Sequence, residues 1–115
     1  MKKDTALILL LLLFYAVFIY TDCVHCVTHE EVHRQINRIN GLNSTVDVHY
    51  DWHSLSFVGE TKSVELVDHE TLVRLETLHS ENEIYGYQER CLEITVILVG
   101  FIVGAVILLC SKSFK

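Results

Sequence analysis

The sequence predicts a membrane protein with two α-helical transmembrane segments flanking a small α+β domain in the loop between them. Three observations predict it. Thr5–Tyr20 and Ile94–Cys110 are long apolar runs without a charge. At about 1.5 Å per residue each would make a helix roughly 24–26 Å long, at the short end for a bilayer core of about 30 Å. Lysines flank the outer ends: Lys2 and Lys3 precede the first run, and Lys112 and Lys115 follow the second. Between the runs, Asp22–Glu93 carries five basic and fourteen acidic residues, a balance of −9. The 115 residues leave room for one domain at most. The remaining polar chain of about 70 residues is too short to wrap two such helices as a soluble core.

Positive flanks prefer the cytoplasm. Residues 1–4 and 111–115 are therefore expected as cytoplasmic tails, 5–21 and 94–110 as spans, and 22–93 as an acidic lumenal or extracellular loop. The endoplasmic reticulum bilayer is a few Å thinner than the plasma membrane, so short spans favour a multi-pass protein of that membrane. An acidic loop repels phosphates, which excludes direct nucleic-acid binding and leaves membrane lipids as the first partner. The first run also has the basic start and apolar stretch of a signal peptide, but Phe18, Ile19 and Tyr20 are bulky where a cleavage site needs small residues. An uncleaved anchor is expected. The alternative, cleavage between Thr21 and Cys23, leaves a single-span protein with its loop on the same side.

Within the loop, Val32, Ile36 and Ile39 have helical spacing over Val27–Leu42, with Thr28 and Glu31 forming a capping box and Asn40-Gly41 a stop. Val46, Val48, Tyr50 and Trp52 alternate with Asp47, His49 and Asp51, the period of a half-buried strand. Leu55–Val58 reads as a second strand, Gly59-Glu60 as a turn and Ser63–Val67 as a third strand. Asp68 would cap a helix running through His79, with Leu72, Leu75 and Leu78 on one side and Val73 beside them. So small a unit has a marginal core and leans on a partner or the membrane for order.

Cys23, Cys26, His29 and His33 place four soft ligands within eleven residues. Thiolate and imidazole at such spacing can surround zinc, but structural zinc sites usually separate their ligand pairs by a longer loop. In an oxidising lumen the expectation is disulfide chemistry among Cys23, Cys26 and Cys91, ahead of inert thiols and then of metal. No cofactor is expected. His29-Glu30-Glu31-Val32-His33 matches HExxH, in which histidines one turn apart hold zinc while the glutamate activates water. That chemistry needs a third ligand, a cleft and a scaffold, and the chain is short for all three. His49 and His53 share the spacing on a strand-like stretch, where they read as solvated polar positions. Neither a nucleophile–base constellation nor a phosphate loop is recognisable, so neither an enzyme nor a small-molecule substrate is expected.

Asn43-Ser44-Thr45 is a glycosylation acceptor if the loop is lumenal. Gly100 and Gly104 form GxxxG in an apolar helix, a face that permits close helix association and hence a homo-oligomer or a companion membrane protein. Cys110, beside Lys112 at the cytoplasmic edge, is a palmitoylation candidate.

Phe57–Val67 (FVGETKSVELV) followed by His69–Leu78 (HETLVRLETL) resembles the third, small membrane movement protein of the plant-virus triple gene block. The potexvirus form has an anchor, a short strand, a Gly-Glu turn, a second strand and a helix opening with an acidic residue and a threonine. Leu55–Val58, Gly59-Glu60, Ser63–Val67 and Glu70-Thr71-Leu72 stand in that order here. The benyvirus form has an anchor at each end, and its helix carries a run similar to Glu70–Leu75. His53 and Ser54 upstream, and Leu66 and Val67 downstream, stand where the potexvirus form brackets its glycine with cysteines. The resemblance implies residence in the endoplasmic reticulum and help in carrying viral genomes to plasmodesmata. It implies curving or marking tubular membrane, and recruiting a second movement protein with its RNA-bound helicase. Gly59, Glu70, Thr71, Leu72, Arg74 and Leu75 would then serve partner contacts. The alternative is a type I membrane glycoprotein whose disulfide-stapled ectodomain binds a receptor or an immune ligand. A viral ion channel, a third class, would need a polar stripe inside its span, where only Thr95 is polar.

Overall fold

The computed structural model describes residues 2–63, 65 and 67–112. Its elements are α1 (Lys3–Ile39), β1 (Thr45–Asp51), β2 (Ser56–Lys62) and α2 (His69–Cys110). Two long helices, each with an apolar stretch long enough to cross a bilayer by length and composition, thus flank a small two-stranded sheet. At 1.5 Å per residue they are roughly 55 and 63 Å long, and they set the molecule's 68 Å axis.

The expected break between the first apolar run and the loop helix does not occur. Residues Thr21–Val27 contain neither proline nor glycine, so nothing interrupts the backbone ladder and one helix continues through them. Thr28 consequently sits mid-helix, and no capping box forms there. The expected stop at Asn40-Gly41 is present. Asn40 caps α1 and Gly41 takes φ +80°, while the Leu42 N–H donates to the Asn37 carbonyl at 2.9 Å and the Gly41 N–H to that of Arg38 at 3.0 Å. These two bonds are the Schellman pair, and they need a residue that tolerates positive φ. Asp68 occupies the N-cap position of α2, as expected, but that helix runs on past His79 to Cys110, with no proline to interrupt it and Gly86 accommodated inside it.

The sheet is an antiparallel hairpin, with Thr45 opposite Lys62 and Asp51 opposite Ser56. Its loop is Trp52–Leu55, so Gly59-Glu60 lies inside β2 and is not a turn. The glycine answers a different need: a Cβ there would collide with the Glu30 and Cys26 side chains of α1. Asp51 shapes the loop by accepting hydrogen bonds from the His53 N–H and the Ser54 hydroxyl, both at 3.0 Å, and Leu55 is left at φ 53°. The third strand expected at Ser63–Val67 is not formed at Ser63, Glu65 or Val67; Val64 and Leu66 lie outside the described residues.

The helices are antiparallel, and three levels of contact tie them. Lys3 donates to the Leu109 carbonyl at 2.7 Å, and Phe14 packs on Phe101 with ring centroids 4.8 Å apart. Above them Arg90 of α2 reaches the Asp22 carboxylate (3.3 Å), the Thr21 hydroxyl (3.1 Å) and the Phe18 carbonyl (3.4 Å), with its guanidinium 5.0 Å from the Phe18 ring centroid. The second Asp22 oxygen accepts the Phe57 N–H of β2 at 2.7 Å, so this one carboxylate joins both helices to the sheet.

The buried face of α1 is polar. Glu30, His33 and Asn37 are buried, whereas Val32 and Ile39, expected to face a core, are exposed. Among the described residues only Ala6, Leu42 and Leu75 are buried apolar side chains; Leu72 and Val73 point outward. Replacing Asp22 with alanine strands Arg90, which is only 12% exposed, and frees the Phe57 N–H. The variant is expected to lose about 3 kcal/mol, seen as a lower thermal midpoint by circular dichroism in mild detergent, whereas Asp47→Ala on the exposed strand edge changes it little.

Candidate metal centre between the two helices

The HExxH residues meet a second pair on the opposing helix. His29 and His33 lie one turn apart on one face of α1, and His79 and Glu83 are spaced identically on α2. The antiparallel packing brings the pairs together. Oε1 of Glu83 lies 2.7 Å from His33 Nε2 and 3.0 Å from His29 Nε2, and the two Nε2 atoms are 3.3 Å apart. Behind them His33 Nδ1 is 2.6 Å from His79 Nδ1, and His79 Nε2 is 2.9 Å from Asn37 Oδ1. The rings also pack in series along His29–His33–His79, the first pair T-shaped at 4.8 Å between centroids and the second tilted at 4.7 Å. His29, His33 and Glu83 make up a donor set suited to a divalent metal.

The electrostatics follow from this geometry. Burial pushes the His79 imidazole below its ordinary range, and the neighbouring His33 adds to that, so His79 favours its neutral form. Burial alone would raise Glu83, but hydrogen bonds from His29 and His33 outweigh it and hold the carboxyl below its usual range. A pocket of about 310 Å³ lies against the cluster, lined by His33, Glu83, Glu30 and Thr61 among others. Glu30, the acid of HExxH, accepts the Thr61 hydroxyl at 2.6 Å. On the other side Gly86 allows the His29 ring to lie directly on α2, where a Cβ would strike it.

Of the ligands read from the sequence, His29 and His33 are in the cluster; Cys23 and Cys26 are not among its donor atoms. His49 and His53 are exposed on the hairpin, as expected. All four cysteines, Cys23, Cys26, Cys91 and Cys110, are free thiols, the last two exposed. Asn43 is exposed between α1 and β1, its carbonyl accepting the Ser63 hydroxyl at 2.9 Å. A Cβ on Gly104 would meet Leu10 of α1 at ordinary van der Waals distance, whereas one on Gly100 would meet nothing within 4 Å. Both glycines thus lie along or near the seam within the chain, Gly100 lining a shallow groove with Leu10, Phe14 and Phe101. Among the partner-contact candidates, Leu75 is buried and Gly59 abuts α1, so these two hold the fold. Glu70 and Leu72 are exposed, Thr71 is half-buried, and Arg74 donates to Asn40 Oδ1 at 3.1 Å.

Sequence reasoning missed Asn37, His79 and Glu83. The signal was the i, i+4 spacing of His79 and Glu83, visible only once the second helix is carried past His79 and laid antiparallel to the first. Burial, then the charges of Glu30, Asp22 and Cys23, push the Cys26 thiol up to about 11. Its thiolate population at neutral pH is therefore about 100-fold below that of an ordinary cysteine, and disulfide exchange needs the thiolate. In iodoacetamide time courses followed by peptide mass spectrometry, Cys26 is expected to react slowest and the exposed Cys91 far faster; equal rates would contradict the environment described for Cys26. Comparison with family models, with curated proteins and with solved structures gives no match for this chain.

Proposed function

We propose that the chain is a small, non-enzymatic integral membrane protein that displays its acidic head on the lumenal side of the endoplasmic reticulum and recruits a companion protein there. One observation carries the reading: no residue in the most apolar 18-residue stretch of either helix is buried. Leu9, Leu12, Leu13, Val96, Val99 and Ile107 are all more than half exposed, an apolar surface far beyond the patches that soluble monomers leave in water. The Lys3–Leu109 contact puts both termini at one end and the acidic head at the other, the arrangement that positive flanks favour.

The hairpin supports a membrane surface close to Asp22. Tyr50, Trp52 and Phe57 line an apolar hollow with Tyr15, Ile19 and Tyr20 of α1. Aromatic rings concentrate at membrane–water interfaces, where one edge is apolar and the other wet. Trp52 is 79% exposed at the tip, and Leu55 beside it keeps a left-handed backbone that leucine pays for. A membrane surface gives both exposed side chains a use. The continuity of α1 through Thr21–Cys23, with Phe18 and Thr21 engaged by Arg90, supports an uncleaved anchor.

The layout of anchor, acidic head, anchor and basic tail fits the triple-gene-block movement protein that the sequence resembles, so assistance in cell-to-cell movement of a viral genome is the specific form of the proposal. On the helix opening α2, Glu70 and Leu72 offer the exposed contact face. Leu72→Asp is expected to leave membrane association and helix content unchanged while abolishing complementation of a movement-defective reporter virus in plant epidermis. Failure of the unaltered chain to complement would remove the movement role.

The orientation has its own test. In sealed microsomes, protease is expected to digest tags on either terminus and spare the head, and Asn43→Gln should remove any glycan-dependent mobility shift. A digested head with protected termini would reverse the topology. The receptor-binding glycoprotein reading draws on the exposed sequon at Asn43. A mature N-terminus near Thr21–Cys23 with surface display would favour it.

A further inference from the structure

We propose that His29, His33 and Glu83 bind one zinc ion, with His79 and Asn37 positioning His33. Zinc prefers four ligands in a tetrahedron at about 2.0–2.1 Å, which sets ligand atoms roughly 3.3 Å apart. The two imidazole Nε2 atoms already stand 3.3 Å apart. Glu83 Oε1 is a few tenths of an ångström inside that spacing, and its side chain is half exposed and free to draw back.

One ligand atom from each of His29, His33 and Glu83 lies within 4.8 Å of the other two, and the three come from two facing helices. Behind them His33 Nδ1 is 2.6 Å from His79 Nδ1, and His79 Nε2 is 2.9 Å from Asn37 Oδ1, a chain that turns His33 Nε2 toward Glu83 Oε1. Histidine ligands characteristically donate their second N–H to an outer partner in this way, which fixes the ring and raises its basicity. Pairs of i, i+4 ligands from facing helices are also how helix bundles build metal sites. A three-ligand set leaves zinc one position for water or a small ligand, and the adjoining pocket provides the space.

A proton shared between His33 and Glu83 is the competing cation, and a titration separates the two. Full-length protein in mild detergent, stripped with chelator, would be titrated with Zn²⁺ alone by calorimetry and with Co²⁺ by visible absorption. The expected result is one metal per chain, with tetrahedral cobalt bands and without thiolate-to-cobalt charge transfer. Glu83→Gln, at a half-exposed position that should not disturb folding, is expected to weaken zinc binding at least 100-fold, and His33→Ala to abolish it. His79→Ala, which removes only the positioning partner, should cost about 10–100-fold. His49→Ala and the Cys23→Ser/Cys26→Ser double variant should bind as the unaltered chain does. Absence of stoichiometric binding, binding unaffected by Glu83→Gln in a variant of native helicity, or loss of binding on removing the cysteines would each overturn the proposal. Detergent-solubilised chain suffices, so failure here leaves the membrane reading standing.

Discussion

Two apolar helix segments without protein cover are the constraint from which the rest follows. The chain has too little polar sequence to enclose them, and the hairpin and helix ends gather at the other end of a long, narrow molecule. In lipid, every backbone group of such a segment must be satisfied internally, which a helix alone achieves. Packing the two helices antiparallel then places both lysine-flanked termini together and sends all but one of the acidic residues to the far end. Where the apolar stretches stop, Arg90 and Asp22 face each other across the seam. A guanidinium so little exposed demands a partner, and the same carboxylate captures the sheet through Phe57.

Above that clamp the usual inside-out rule is reversed. The interior of the head is held by Glu30, His33 and Asn37 and covered by Thr61, His79 and Glu83, while Val32, Leu72 and Ile39 face outward. Burying polar groups is tolerable only when they are paired. Here they are: Glu30 with Thr61, His33 with His79 and Glu83, Asn37 with His79. Such a network specifies one alignment of α1 against α2, because a shift of one residue would separate His33 from His79 and Glu83, and Asn37 from His79, at once. The same demand for mutual alignment makes the cluster a credible metal site, since the ligands are held by the helices and not by loops.

Much of this was legible from the residues. The two apolar blocks, the Asn40-Gly41 stop, the alternating strand at Thr45–Asp51 and the start of α2 at Asp68 all follow from local patterns of charge, turn chemistry and periodicity. What misled was the assumption that apolar spacing marks the buried face: Val32, Ile36 and Ile39 have the right period, yet the polar stripe beside them is the one covered. Gly59 was read as a turn because glycine is common in turns, whereas here it is required by the closeness of β2 to α1. Continuous helices were missed because a change in composition at Asp22 and again at Glu93 looks like a boundary, although backbone hydrogen bonding is indifferent to polarity. The His–Glu cluster needs two helices in register, and no single stretch of sequence contains that information.

The central claim is that the two apolar stretches are covered by lipid. Extraction of membranes from expressing cells with alkaline carbonate, followed by sedimentation, tests it directly. The account predicts that the full-length chain stays in the pellet and is released only by detergent. Recovery of the chain in the aqueous supernatant as a compact monomer would contradict it.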